Sequence, residues 1–116
     1  MQSISRFIWG PTKEGTFELL IEERVREVQR RLRQEQRALD REVRQIDQAT
    51  SKVKADIKRL AVKGDNKNAV MLAREVVRSS KHRTRLITSK AQLNSISLQL
   101  QQQLCMFLAD AQRCSK

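Results

Sequence analysis

The sequence predicts an all-α protein built as a long antiparallel two-helix hairpin, preceded by a short amphipathic segment. The composition favours long helices, because there is no Tyr, one Trp, three Gly and one Pro among 116 residues, while Gln, Arg, Glu, Lys, Leu and Ala are abundant. Apolar residues recur in steps of three, four or seven, which is helical spacing. The one internal break, Lys63-Gly64-Asp65-Asn66, is short enough to place two helices side by side.

Residues 1–11 form a short segment that ends at Gly10-Pro11. Apolar and aromatic side chains with Arg6 beside them suit a short helix lying in a lipid interface. The residues expected to insert into a membrane are Ile4, Phe7, Ile8 and Trp9. The alternative is a frayed terminus, or a staple that packs on the hairpin. No apolar run approaches the roughly 20 residues needed to span a bilayer.

The first helix is predicted over about residues 12–63, with an apolar side and an arginine side that lie nearly opposite at 100° per residue. The apolar stripe comprises Val25, Val28, Leu32, Leu39, Val43, Ile46, Val53, Ile57 and Leu60. The basic stripe comprises Arg26, Arg30, Arg33, Arg37, Arg41 and Arg44. Acidic residues such as Asp40 and Asp47 fill the flanks, where we expect pairing with Arg three or four residues away.

The second helix is predicted over about residues 67–113, after a turn at 63–67 in which Gly64 suits a helix C′ position and Asp65 or Asn66 caps the next helix. Its seam against the first helix is predicted at Ala69, Ala73, Val76, Ile87, Ala91 and Leu98. Its basic stripe comprises Lys67, Arg74, Arg78, Lys81 and Arg85. Each basic stripe is either a surface for an anionic partner or a solvated helix face.

A second apolar face begins at Leu86, and the predicted seam does not need it. An exposed apolar stripe usually marks an interaction surface, so we interpret this face as a contact with a partner, which is either another part of a longer chain or another protein molecule. Its members are Leu86, Leu93, Ile96, Leu100, Leu104 and Phe107. The alternative is that the core face of the helix simply rotates here.

The net charge of +11 predicts an anionic partner: a membrane surface, a nucleic acid or an acidic protein. Nucleic acid is the less favoured partner, because no aromatic residues interleave with the basic ones to stack on bases. The arginines and the apolar seam also run over the same residues, unlike a basic region followed by a zipper. Two alternatives to membrane binding remain: a nucleic-acid-binding hairpin, and a coiled-coil scaffold whose basic stripes are only solvated.

No enzymatic activity, cofactor or metal is expected. His82 is the single histidine and lies between basic neighbours, and there is no phosphate loop, HExxH motif or nucleophile elbow. Cys105 and Cys114 are nine residues apart and match no metal-ligand spacing. We interpret them as free thiols in a reducing cytosol.

Four stretches resemble the ESCRT-III family, and within it the vacuolar protein sorting 24 (charged multivesicular body protein 3) type. They are Phe7-Ile8-Trp9-Gly10-Pro11, ALDREVRQID at 38–47, KGDNKNAVMLAREVVRS at 63–79 and ITSKAQLNSI at 87–96. The resemblance covers roughly residues 4–100, which correspond to the family's first two helices. It implies a membrane-anchoring segment at 1–11 and a basic helical hairpin at 12–116.

The resemblance further implies a subunit that binds anionic lipid through the two basic stripes. It also implies that the subunit co-polymerises with itself and other ESCRT-III subunits, with the second apolar face of the second helix as the contact between protomers. Such filaments remodel and cut membranes during multivesicular body sorting, so the expected location is cytoplasmic, peripheral on endosomal membrane. The family's C-terminal regulatory helices and its segment that recruits an AAA ATPase align with nothing in these 116 residues. We therefore expect neither autoinhibitory closure nor ATPase recruitment from this stretch.

Overall fold

The computed structural model describes residues 13–114, with the side chains of residues 15–110. It contains two helices, α1 at Lys13–Val62 and α2 at Asn66–Cys114, and the described residues include no strand. The all-α class and the hairpin are therefore confirmed. The first and last residue of each helix lie within one position of the prediction. The predicted amphipathic segment at 1–11 lies outside the described residues.

The turn between the helices is fixed by backbone hydrogen bonds that glycine makes possible. The N–H of Asp65 donates to the carbonyl of Leu60 at 2.9 Å, and the N–H of Gly64 donates to that of Ala61 at 3.1 Å. This pair of bonds is a Schellman motif, which requires a left-handed residue at C′. Gly64 supplies that residue with φ of 82°. The predicted role of Gly64 is confirmed.

Asp65 caps the start of α2. The backbone N–H of Asn68 donates to Asp65 Oδ1 at 3.3 Å, and the Asn68 side-chain amide donates to Oδ2 at 2.7 Å. The first bond satisfies an N–H that has no partner within the helix, and the carboxylate also favours the positive end of the helix dipole. Together the two helix ends make a tight reversal in which three residues, 63–65, connect the helices.

The chain divides into two compact units, which are described separately. The tip unit is Gln34–Leu93 and contains the turn. Its buried and half-buried seam positions alternate in steps of three and four, as in a two-stranded coiled coil. On α1 these are Gln36, Leu39, Val43, Ile46, Thr50, Val53, Ile57 and Leu60. On α2 they are Ala69, Leu72, Val76, Ser79, Arg83, Leu86, Lys90 and Leu93.

The terminal unit comprises Met1–Arg33 and Asn94–Lys116, of which residues 13–33 and 94–114 are described. Phe17 and Phe107 meet edge to face, with ring centroids 6.5 Å apart and planes at 64°, an attractive arrangement for aromatic rings. The Gln29 amide donates to Gln101 Oε1 at 2.9 Å and to the Ser97 carbonyl at 3.4 Å. This unit therefore mixes aromatic, leucine and amide contacts in its seam.

The predicted seam of α2 is partly wrong. Ala69 and Val76 do lie in the seam, but Ala73, Ile87, Ala91 and Leu98 are exposed, with Ile87 at 44% and Leu98 at 58%. The true seam passes through Ser79, Arg83, Lys90 and Ser97, so its apolar pattern is interrupted. The predicted row, which contains Ile87, Ala91 and Leu98, lies beside the true seam and carries no charged residue between 84 and 98. In the sequence it therefore resembles a seam more closely than the true seam does.

The second apolar face of α2 is largely part of the hairpin core. Leu86 and Leu104 are buried, at 9% and 7% exposure. Leu93, Leu100 and Phe107 are half-buried, and Ile96 is 45% exposed. The interpretation that the hairpin does not need this face is therefore wrong, since these side chains fill the gap between the helices. That the face also contacts another protomer stays a prediction.

Candidate membrane-binding surface

All eleven residues of the two predicted basic stripes are exposed. Arg26, Arg30 and Arg33 belong to the terminal unit, and the other eight belong to the tip unit. Helical periodicity explains the exposure, because each stripe lies roughly 150° or more around its helix from the seam. Packing of the apolar seam therefore turns the basic side chains outward.

Most stripe residues carry charge that no acid neutralises. Arg26 pairs with Glu22, and Arg78 Nη1 lies 2.7 Å from Glu75 Oε1. The remaining nine form no ion pair within the part of the chain that the structure describes. They are Arg30, Arg33, Arg37, Arg41, Arg44, Lys67, Arg74, Lys81 and Arg85. These nine cations are available to an anionic surface.

Among the acidic residues that form ion pairs in the described part of the chain, most pair with cations outside the stripes. Glu27 accepts from Arg31 at 3.1 Å and lies 3.7 Å from Arg24, and Asp56 pairs with Arg59. Such exposed pairs contribute little to stability. Their consequence is that charge is segregated around α1, because the acids neutralise cations on its flanks and leave its basic stripe, apart from Arg26, without neutralising partners.

Two ion pairs join the helices of the tip unit, and the sequence analysis did not foresee them. Arg83 Nε donates to Asp47 Oδ1 at 2.7 Å and Nη2 donates to Oδ2 at 3.3 Å, while Lys90 Nζ lies 2.8 Å from Asp40 Oδ1. Asp40 and Asp47 therefore pair across the hairpin and not with the arginines of α1 that their spacing also allowed. The available signal was the matching seven-residue spacing of the two acids and the two bases.

The predicted membrane-inserting residues Ile4, Phe7, Ile8 and Trp9 lie outside the described residues. Neither α1 nor α2 contains a stretch apolar enough to cross a bilayer.

Among the side chains of residues 15–110, no three His, Cys, Asp or Glu are grouped as metal ligands would be. Cys105 is a free, exposed thiol.

Comparison with known proteins gives a family. The Snf7 family model matches residues 27–106. Vacuolar protein sorting-associated protein 24 of Schizosaccharomyces pombe is 38% identical over 109 residues, which are 91% of this chain and 42% of that protein. Charged multivesicular body protein 3 of Xenopus laevis is 44% identical, and that of Rattus norvegicus 40% identical, each over 55 residues.

Those 55 residues are 47% of this chain and 25% of each animal protein, so the chain spans less than half the length of the relatives it matches. No solved structure shows significant similarity to it. The family match nevertheless covers more than half of the chain and contains most of both helices and the turn. The chain therefore belongs to the Snf7 family, the ESCRT-III group that its sequence resembles.

Proposed function

We propose that this chain is a non-enzymatic ESCRT-III subunit that binds anionic membrane and co-polymerises into filaments. The filaments would contain copies of the chain and related subunits, and would remodel and cut endosomal membrane during multivesicular body sorting. The chain would act in the cytoplasm, peripherally on endosomes. Family membership and the sorting roles in the relatives' names support this proposal.

The observation that carries the proposal is the set of nine exposed, uncompensated cations on the basic stripes. A basic residue close to an anionic leaflet contributes about 1 kcal/mol to binding. If half of the nine touch the leaflet together, the sum is about 4–5 kcal/mol, which raises membrane affinity more than a thousandfold. Electrostatic attraction is therefore sufficient for peripheral binding without a membrane-spanning helix.

Residues 1–11 would add a second membrane contact, with Ile4, Phe7, Ile8 and Trp9 inserted at the interface. One shallow hydrophobic anchor gives only marginal, reversible binding, and a basic surface beside it makes the attachment stable. The hairpin at 12–116 would supply that basic surface. Insertion and electrostatic attraction would thus act together on the same membrane.

Polymer contacts are proposed on α2, where the predicted face is Leu86, Leu93, Ile96, Leu100, Leu104 and Phe107. Ile96 is the member most open to a neighbouring protomer, at 45% exposure. Buried Leu86 and Leu104 act mainly in holding the hairpin together.

Vesicle flotation tests the lipid proposal. The protein should float with phosphatidylserine vesicles at low salt and lose binding as salt rises, because a Debye length falls from about 30 Å at 0.01 M to about 3 Å at 1 M. Reversal of Arg30→Glu, Arg37→Glu and Arg41→Glu should strongly reduce flotation, with helicity unchanged, and the binding that remains through α2 should be lost at a lower salt concentration. Equal flotation with neutral vesicles would contradict the proposal.

The matched control is the triple variant Arg24→Glu, Arg31→Glu and Arg59→Glu, which changes net charge by the same amount. Arg24 and Arg31 lie well away from the stripe around α1, Arg59 lies in line with Arg41, and all three already pair with acids. The control should retain most of the flotation. A loss equal to that of the stripe variant would show that net charge alone matters, and filter binding with RNA and DNA would then test the nucleic-acid alternative.

A further inference from the structure

We propose that the tip unit has two lipid-binding faces pointing in opposite directions, so that one hairpin bridges two anionic membrane surfaces. The inference rests on the proposed lipid binding by the stripes and adds a second membrane to it. The α1 basic face is Arg37, Arg41 and Arg44. The α2 basic face is Lys67, Arg74, Arg78, Lys81 and Arg85.

The two basic faces point in opposite directions because each lies on the side of its helix that faces away from the seam. At 100° per residue, the centre of the α1 basic face lies roughly 150° around α1 from the centre of its seam, and the α2 basic face lies roughly 160° from the seam of α2. The seams face each other, as the pairs Asp47–Arg83 and Asp40–Lys90 show. Each basic face therefore points away from the partner helix.

The charge distribution separates the faces further. Every Asp and Glu of the tip unit's helices lies roughly 65° or more from the centre of the basic face on its own helix. Asp40 and Asp47 lie between the two faces, where they pair with Lys90 and Arg83. The tip unit therefore has two cationic sides, and the flank between them is neutralised where Asp40 and Asp47 form these pairs.

A flat bilayer cannot engage both faces at once. Each helix is about 10–12 Å across with its side chains, so two stacked helices are about 20 Å thick. At physiological salt the Debye length is about 8 Å, so cations on the far face are screened from the first membrane. When one face is bound to a membrane, the other stays free for a second anionic surface.

The test compares binding with clustering of phosphatidylcholine vesicles that contain phosphatidylserine, at physiological salt. Two triple variants carry equal charge changes: Arg37→Glu, Arg41→Glu, Arg44→Glu on α1, and Arg74→Glu, Lys81→Glu, Arg85→Glu on α2. Cosedimentation measures binding, and turbidity measures clustering. Corresponding Gln substitutions replace any Glu set that loses helicity.

The unaltered chain should bind and cluster vesicles, with gaps of about 20 Å between apposed membranes in electron cryomicrographs. Each triple variant should still bind, but should cluster at least tenfold less, and the combined variant should do neither. Binding without clustering, or full clustering by either triple variant, would overturn the bridge and leave lipid binding intact. Absence of binding by the unaltered chain would overturn the lipid proposal itself.

Discussion

At the scale of single residues, the reversal of the chain depends on one backbone conformation at Gly64. Its φ of 82° lies in the left-handed region, and no atom lies within 4 Å of the place where a Cβ would stand. A side chain there would therefore meet conformational strain and no clash. The sequence alone predicted this role because Gly followed by a capping Asp is typical of a helix end.

Gly64→Ala should lower the free energy of unfolding by about 1–2 kcal/mol, the cost of a left-handed residue with a Cβ. Thermal unfolding followed by circular dichroism measures the loss. Gly15→Ala is the control, since Gly15 lies in α1 with open space around it and alanine favours the helix. An equal loss in both variants would show that the strain at Gly64 is not the cause.

At the scale of the helices, the correction to the α2 seam makes a direct prediction. Leu86→Ala should cost about 2–3 kcal/mol, because Leu86 is buried and its loss leaves a cavity between the helices. Leu98→Ala should cost well under 1 kcal/mol, because Leu98 is 58% exposed. Chemical denaturation of both variants measures the difference. Equal costs would restore Leu98 to the seam.

Sequence periodicity predicted both helices, the turn and the seam of α1 except Val28, which is 41% exposed. It succeeded because the seam row from Val25 to Leu60 is apolar at every seventh position. It failed for α2, because Arg83 and Lys90 occupy seam positions there. Their partners Asp47 and Asp40 are distant in the sequence. The register that brings each pair together depends on the turn and on the packing of both helices. It therefore cannot be predicted from the spacing of residues within one helix.

The pair Asp47–Arg83 should help to set the helix register rather than add much stability. Both side chains are almost half exposed, so the pair should contribute under about 1 kcal/mol. Asp47→Arg should destabilise the hairpin through repulsion with Arg83, and adding Arg83→Asp should recover most of the loss. A double-mutant cycle measures the coupling.

The control cycle exchanges Glu75 and Arg78, which pair within α2. That pair does not join the helices, so its exchange should show a smaller coupling, about 0.2–0.5 kcal/mol. If the interhelical exchange recovers nothing, Asp47 and Arg83 do not form an energetically coupled pair.

At the scale of the whole molecule, the distribution of charge matters more than its total. The net charge of +11 by itself indicated only an anionic partner. The structure shows which basic residues are already neutralised: Arg83 and Lys90 join the helices, and Arg24, Arg31 and Arg59 pair along α1. The stripe cations that remain lie on the outward sides of both helices, where a membrane can reach them.

Trp9 separates insertion from electrostatic attraction, because it is the single tryptophan of the chain and lies in the segment proposed to insert. Its emission should shift to shorter wavelength on phosphatidylserine vesicles, since the ring leaves water for the lipid interface. Phe7→Ser with Ile8→Ser should reduce the shift while the salt dependence of flotation persists. Reversal of Arg30, Arg37 and Arg41 should raise the lipid concentration needed for half of the shift, since fewer molecules reach the surface. Flotation without any spectral shift would mean that the basic stripes hold the chain on the membrane while Trp9 stays in water.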